Sequence, residues 1–91
     1  MKRYVIERHI PRAGQMNQAE LAVAARHSHQ VLKGLGGDIQ WLHSYVTDDK
    51  LFCIYLAESP ELIRRHAQIS GFPADRITEV CNVLDAGHAA C

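Results

Sequence analysis

The chain has 91 residues, in which ten Lys plus Arg balance ten Asp plus Glu, leaving no formal net charge. That balance supplies no basic field to draw in nucleic acid or anionic lipid, so neither is expected as a partner. The opening Met1-Lys2-Arg3-Tyr4-Val5-Ile6-Glu7 meets a charge too soon for the apolar core of a signal peptide. No run approaches the ~20 residues of a membrane span, and the expected location is the cytoplasm.

A chain of this length makes one domain, 1–91, and buries only roughly 60 to 65 per cent of its unfolded surface, which favours a dimer that covers more. Cys53, Cys81 and Cys91 show neither CxxC spacing nor an even count and read as reduced thiols.

Residues 3 to 10 read as a strand stopped by Pro11, with Ala13-Gly14 as a turn. Asn17 and Glu20 stand three apart, as in a capping box, so a helix starts there. Its stripe of Leu21, Ala24, Ala25, Ser28, Val31, Leu32 and Leu35 keeps the i, i+3, i+4 spacing of one buried face, and Gly36-Gly37 ends it. Residues 39 to 47 and 51 to 57 read as two strands of a hairpin turned by Asp48-Asp49-Lys50. Ser59-Pro60-Glu61 opens a second, shorter helix striped by Leu62, Ile63, His66, Ala67 and Ile69 and closed by Gly71 and Pro73. Residues 76 to 84 read as a last strand, and 85–91 as a flexible small-residue tail.

The order β-α-β-β-α-β predicts an α+β, ferredoxin-like domain: a four-stranded antiparallel sheet in the order 4-1-3-2 with both helices on one face. Alternation then assigns the faces. Tyr4, Ile6, Leu42, Val46, Phe52, Ile54, Leu56, Val80 and Leu84 are expected beneath the helices. Val5, Glu7, His9, Trp41, His43, Tyr45, Cys53, Tyr55, Glu79, Cys81 and Val83 are expected to look away from them. A face bearing Trp41 and two tyrosines is expected to be covered by a second copy about a two-fold axis, giving a dimeric α/β barrel.

Imidazoles, carboxylates and thiols on one surface suit a borderline divalent ion such as nickel, zinc or copper. The first ligand candidates are Glu7, His9, His43 and Cys53. The competing reading is a polar dimer cavity holding ordered water. Cys53 and Cys81 are expected two strands apart, about 10 Å, too far for a disulfide. His27 and His29 lie about 200° apart around a helix, so they cannot share an ion and read as solvated flank residues. His66 in an apolar stripe reads as a core histidine with one hydrogen bond. Gly36-Gly37 has no phosphate-loop context, and no serine sits in an acyl-transfer elbow.

With these motifs assembled, the chain resembles a family of small ferredoxin-like proteins that includes a nickel-binding protein of actinobacterial type. The residues that carry the likeness are Tyr4 to His9, Gln40 to Lys50, Cys53-Ile54-Tyr55, His66-Ala67 and Gly71 to Ile77, across residues 3 to 85. The resemblance implies a homodimer of ferredoxin-like subunits with a capacity for nickel, suited to sequestration or buffering rather than catalysis. It does not say which residues bind the ion, and surface ligands stand beside the sheet-face set. The alternative function is a dimeric-barrel enzyme, monooxygenase- or isomerase-like, acting on a small organic molecule in the sheet-face cavity, with His43, Tyr45 or His66 moving a proton. A scaffold subunit without a small ligand is the third reading.

Overall fold

The structure, a computed structural model, describes residues 1–87. Strand β1 (Lys2–His9) leads through a single 3₁₀ turn (Ala13–Gln15) into helix α1 (Gln18–Leu35). Strands β2 (Ile39–Val46) and β3 (Lys50–Ala57), helix α2 (Pro60–Ser70) and strand β4 (Arg76–Val80) follow. The strands form one antiparallel sheet in the order β2-β3-β1-β4, the expected ferredoxin-like arrangement.

Local chemistry explains the boundaries. Asn17 Oδ1 accepts from the Glu20 amide at 2.8 Å and Glu20 Oε1 accepts from the Asn17 amide at 3.1 Å, so two otherwise orphaned donors start α1. Helix α2 begins with Pro60 in its first turn, although Ser59 makes no side-chain cap. It ends at Gly71, whose φ of 80° suits a left-handed cap and whose amide donates to Ala67 O. Gly14 is fixed by close approach: a Cβ there would meet Asp48 Cα at 2.9 Å, and its amide donates to Asp48 O. The first connection is thereby pinned to the turn of the β2–β3 hairpin.

The core unites Tyr4 and Ile6 of β1, Cys53, Tyr55 and Ala57 of β3, Ile39 of β2, Leu32 of α1 and Ile63 of α2. This corrects the expected facing of three strands: in β4 Val80, expected in the core, pairs with Arg3 and faces outward, while Ile77 pairs with Ile6 and faces the helices. Tyr4 pairs with Tyr55 and Ile6 with Cys53, so the odd-numbered residues of β3 lie under the helices and Phe52, Ile54 and Leu56 lie on the opposite, outer face. In β2 the register slips between Trp41 and His43. Ile39 and Trp41 therefore face the helices, and beyond the bulge Ser44 and Val46 do so while His43 and Tyr45 face outward. Leu42, expected inside, sits at the slip and is exposed. The last strand stops at Val80 rather than 84, and Leu84, expected in the core, is 88% exposed. Of the expected tail only 85–87 are described, and Cys91 lies outside the described residues.

Candidate functional site

Alternation along β1 carries Tyr4, Ile6 and Arg8 to the same side of the sheet, so a guanidinium follows two core residues inward. Arg8 is only 2% exposed. One of its terminal nitrogens donates to Pro73 O at 2.6 Å, its guanidinium carbon lies 5.9 Å from the centre of the Tyr55 ring, and Nη2 is buried without an acceptor. Among the described residues it forms no ion pair. A charge taken out of water costs several kcal/mol unless it is compensated, so its placement is the most demanding feature of the inner face.

Arg8 lines a cavity of about 550 Å³ that opens between the N-terminal half of α1, the β1–α1 connection, the β2–β3 hairpin and Phe72-Pro73. Most of its wall is apolar: Ile10, Met16, Leu21, Leu51 and Phe72 contribute, with Ala24 and Ala25 from α1. Tyr55, Ser28, Cys53 and Ser44 are its polar contributors apart from Arg8 and His9.

Beneath α1 a buried chain of polar groups continues from the cavity. Tyr55 Oη lies 3.4 Å from Ser28 Oγ, which lies 3.2 Å from His66 Nε2. His66 Nε2 also lies 3.4 Å from the Ser28 carbonyl oxygen, and Nδ1 has no partner. Burial is the first cause holding the His66 imidazole below the ordinary histidine pKa, and the Arg8 and His27 charges push the same way against the Ser28 hydrogen bond. Burial likewise pushes the Tyr55 phenol up, partly offset by the Ser28 hydrogen bond and the Arg8 charge. Both groups stay neutral at neutral pH. His66 is thus the core histidine expected.

The outer face holds the remaining candidates. Glu7 and His9 of β1 share it with His43 and Tyr45 of β2. Glu7 pairs weakly with Arg76 at 3.9 Å, while His43 and Tyr45 stack edge to face at 5.1 Å. Strand β3 lies between β1 and β2 and the register sets His43 across from Val5, which separates His43 from Glu7 by about 12 Å.

Cys53, expected beside these residues, is buried on the inner face, as is Tyr55, so neither belongs to an outer-face ligand set. Glu79 pairs with Tyr4 and so lies on the helix side at the sheet edge, where Lys2 approaches it at 3.7 Å. Cys81 lies beyond β4 and is exposed, and neither it nor Cys53 is bridged. Among the described residues no three His, Cys, Asp or Glu side chains come together as a metal site. The expected catalytic set is also divided, with His43 and Tyr45 on the outer face and His66 buried on the inner one. His27 and His29 go to different neighbours, as expected. His27 is not merely solvated: its Nε2 lies 2.8 Å from Ser70 O and its ring meets Phe72 edge-on at 5.6 Å. Arg8 escaped the sequence reading, although its in-phase spacing from Tyr4 and Ile6 was the available signal.

The profile of the family described as nickel responsive protein SCO4226-like matches residues 4–80. The chain belongs to this family. Among solved structures, the SCO4226 crystal structure from Streptomyces coelicolor A3(2) superposes with a TM-score of 0.76 at 17% identity, covering 90% of this chain and 99% of that one. At that identity the likeness speaks for the SCO4226-like fold alone. No curated protein matches the chain. Among the described residues no helix is long and apolar enough to cross a membrane.

Proposed function

We propose that this SCO4226-like protein is a cytoplasmic, nickel-binding homodimer that sequesters or buffers the ion, paired through the outer face of its sheet. The observation that supports the reading is the content of that face. Glu7, His9 and His43 lie on it together with a band of Val5, Phe52, Ile54, Leu56 and Tyr45 that no helix of the chain covers. Uncovered apolar surface of this kind marks association sites. A two-fold pairing is self-complementary, so donors close to the axis on one copy would be joined by a second set from the other. That doubling matters because a single chain does not assemble three ligands among its described residues. Imidazole nitrogen and carboxylate oxygen suit nickel, and the ion would be cargo held by these donors.

Titration calorimetry with nickel on untagged protein, run alongside light scattering, tests the proposal. The expected result is twice the monomer mass and binding well below roughly millimolar Kd. Binding should weaken in mildly acid solution, because protons compete with the ion for its ligands. His9→Ala and His43→Ala should each weaken it. Unchanged affinity in both variants would remove the outer face as the site.

A further inference from the structure

The inner-face cavity lies on the other side of the sheet from Glu7 and His43, meets the proposed nickel donors only at His9, and is not absorbed by that function. We propose that it binds a small organic monoanion, a carboxylate with an apolar body, whose head group is held by Arg8 and whose body fills the space beneath α1.

Three observations converge on this ligand. The cavity, at about 550 Å³, has the size of a small-molecule site, which typically spans ~300–1,000 Å³. Its wall is apolar from the Ile10 and Met16 side to Leu51 and Phe72, so it rejects a polar or multiply charged body. Its one charged group that is fully buried is Arg8, and that group is under-compensated. A guanidinium has five N–H donors in a planar fork, and the chain supplies Pro73 O at 2.6 Å, a long contact to Phe72 O at 3.5 Å and the Tyr55 ring. Nη2 is left without an acceptor and no carboxylate of the described chain reaches the group. A planar oxyanion offers two acceptors to the same fork and cancels the buried charge. Tyr55, whose ring lies 5.9 Å from the Arg8 guanidinium, and Ser28, 3.4 Å from Tyr55 Oη, also line the cavity and add neutral hydroxyls of the kind that orient a head group. Arg8 is therefore a binding residue, with no reaction assigned to the site.

The ligand preference follows from the pairing of one buried cation with apolar walls. An acid should bind and its alcohol analogue should bind much less, because both gain the apolar contacts while only the acid satisfies the guanidinium. The probes are octanoate against 1-octanol, and cyclohexylacetate against 2-cyclohexylethanol. The readout is the fluorescence of Trp41, which lines the cavity and is the only tryptophan of the chain.

The full-length parent is titrated in the presence of a chelator, so that the outcome is independent of nickel and of the proposal made for the outer face. The expected result is saturable binding of each acid below roughly 0.1 mM, at least about tenfold tighter than its alcohol. Arg8→Met should abolish that preference while leaving weak binding of both members of a pair. Ala25→Leu keeps Arg8 and fills the cavity from α1, and it should reduce binding of acid and alcohol alike. This second variant decides the matter if Arg8→Met fails to fold. Equal affinity for acid and alcohol in the parent, no binding of either acid by about 1 mM, or an acid affinity untouched by Ala25→Leu would each overturn the proposal.

Discussion

Under α2 the inner face of the sheet is filled, whereas under the N-terminal half of α1 it is hollow. Ile63 and His66 of α2 are fully buried against Tyr55, Tyr4 and Ile6, while Leu21, Ala24 and Ala25 of α1 are only half-buried and line the cavity. The difference begins in the sequence. The buried stripe of α2 carries Ile63 and His66, whereas α1 presents only Ala24 and Ala25 above the hollow and packs its larger Leu32 into the core nearer its C-terminal end. Arg8 stands at the boundary between the two regions. In the filled half a buried cation would cost stability with nothing returned, but at the edge of a cavity an incoming anion completes it. On the proposed reading, dense packing and binding occupy different ends of one face, with the opposite face left for association.

The largest effect should come from breaking the filled half. Ile63→Ala is expected to cost about 2–5 kcal/mol in a denaturant titration, because a fully buried isoleucine leaves a void. Leu21→Ala, on the cavity wall, should cost less than about 1 kcal/mol, since its side chain already borders open space. Equal losses at the two positions would erase the distinction between the halves.

The outer face gives the next test. Ile54→Lys places a charge in the uncovered apolar band and should leave the circular dichroism spectrum unchanged while halving the mass seen by light scattering. A variant that keeps the parent mass would move the subunit contact elsewhere.

A smaller effect is expected from pH. Burial lowers the His66 pKa in the folded chain relative to the unfolded one, so the unfolded state binds the proton more readily. The stability this contributes is present above the unfolded histidine value of ~6.5 and is lost as pH falls from there through the folded pKa. His66→Gln should flatten that part of the stability profile, read from urea midpoints across mildly acid pH. A profile as steep in the variant as in the parent would assign the dependence to other groups.

The smallest effect is at the rim. Arg76→Ala removes the 3.9 Å contact to Glu7, but its side chain is 74% exposed, and the change should stay within about 0.5 kcal/mol in the same assay.

The architecture was legible because its signals are local and redundant. Asn17 and Glu20 mark one helix start, Pro60 another, Gly71 an end, and the hairpin lies between two apolar runs. The facing of the strands was legible only where polarity alternates. Tyr4 and Ile6 in β1 were read correctly because Val5-Glu7-His9 is the more polar set. In β3, Leu51-Phe52-Cys53-Ile54-Tyr55-Leu56-Ala57 is apolar throughout, so its phase is decided by pairing with β1 and not by its own pattern. Trp41 was misplaced because a bulge changes the phase of β2 part-way along, and a bulge leaves no fixed mark in the sequence. The phase of β3 decides the face of Cys53 and Tyr55 and that of β2 the face of Trp41, so the cavity they line is not legible in the sequence. Arg8 was passed over for a related reason, since a charge between Glu7 and His9 reads as solvent-facing when the inner pattern is expected to be wholly apolar.

The central claim is that the two faces of the sheet do separate work, metal on the outer and organic anion on the inner. The most direct measurement is a histidine side-chain nitrogen NMR spectrum followed first with nickel and then with octanoate. The account predicts that nickel perturbs the His9 and His43 imidazoles and leaves the buried His66 signal in place, while octanoate moves His66 through Tyr55 and Ser28 and spares His43. Nickel acting on His66, or octanoate acting on His43 alone, would contradict it.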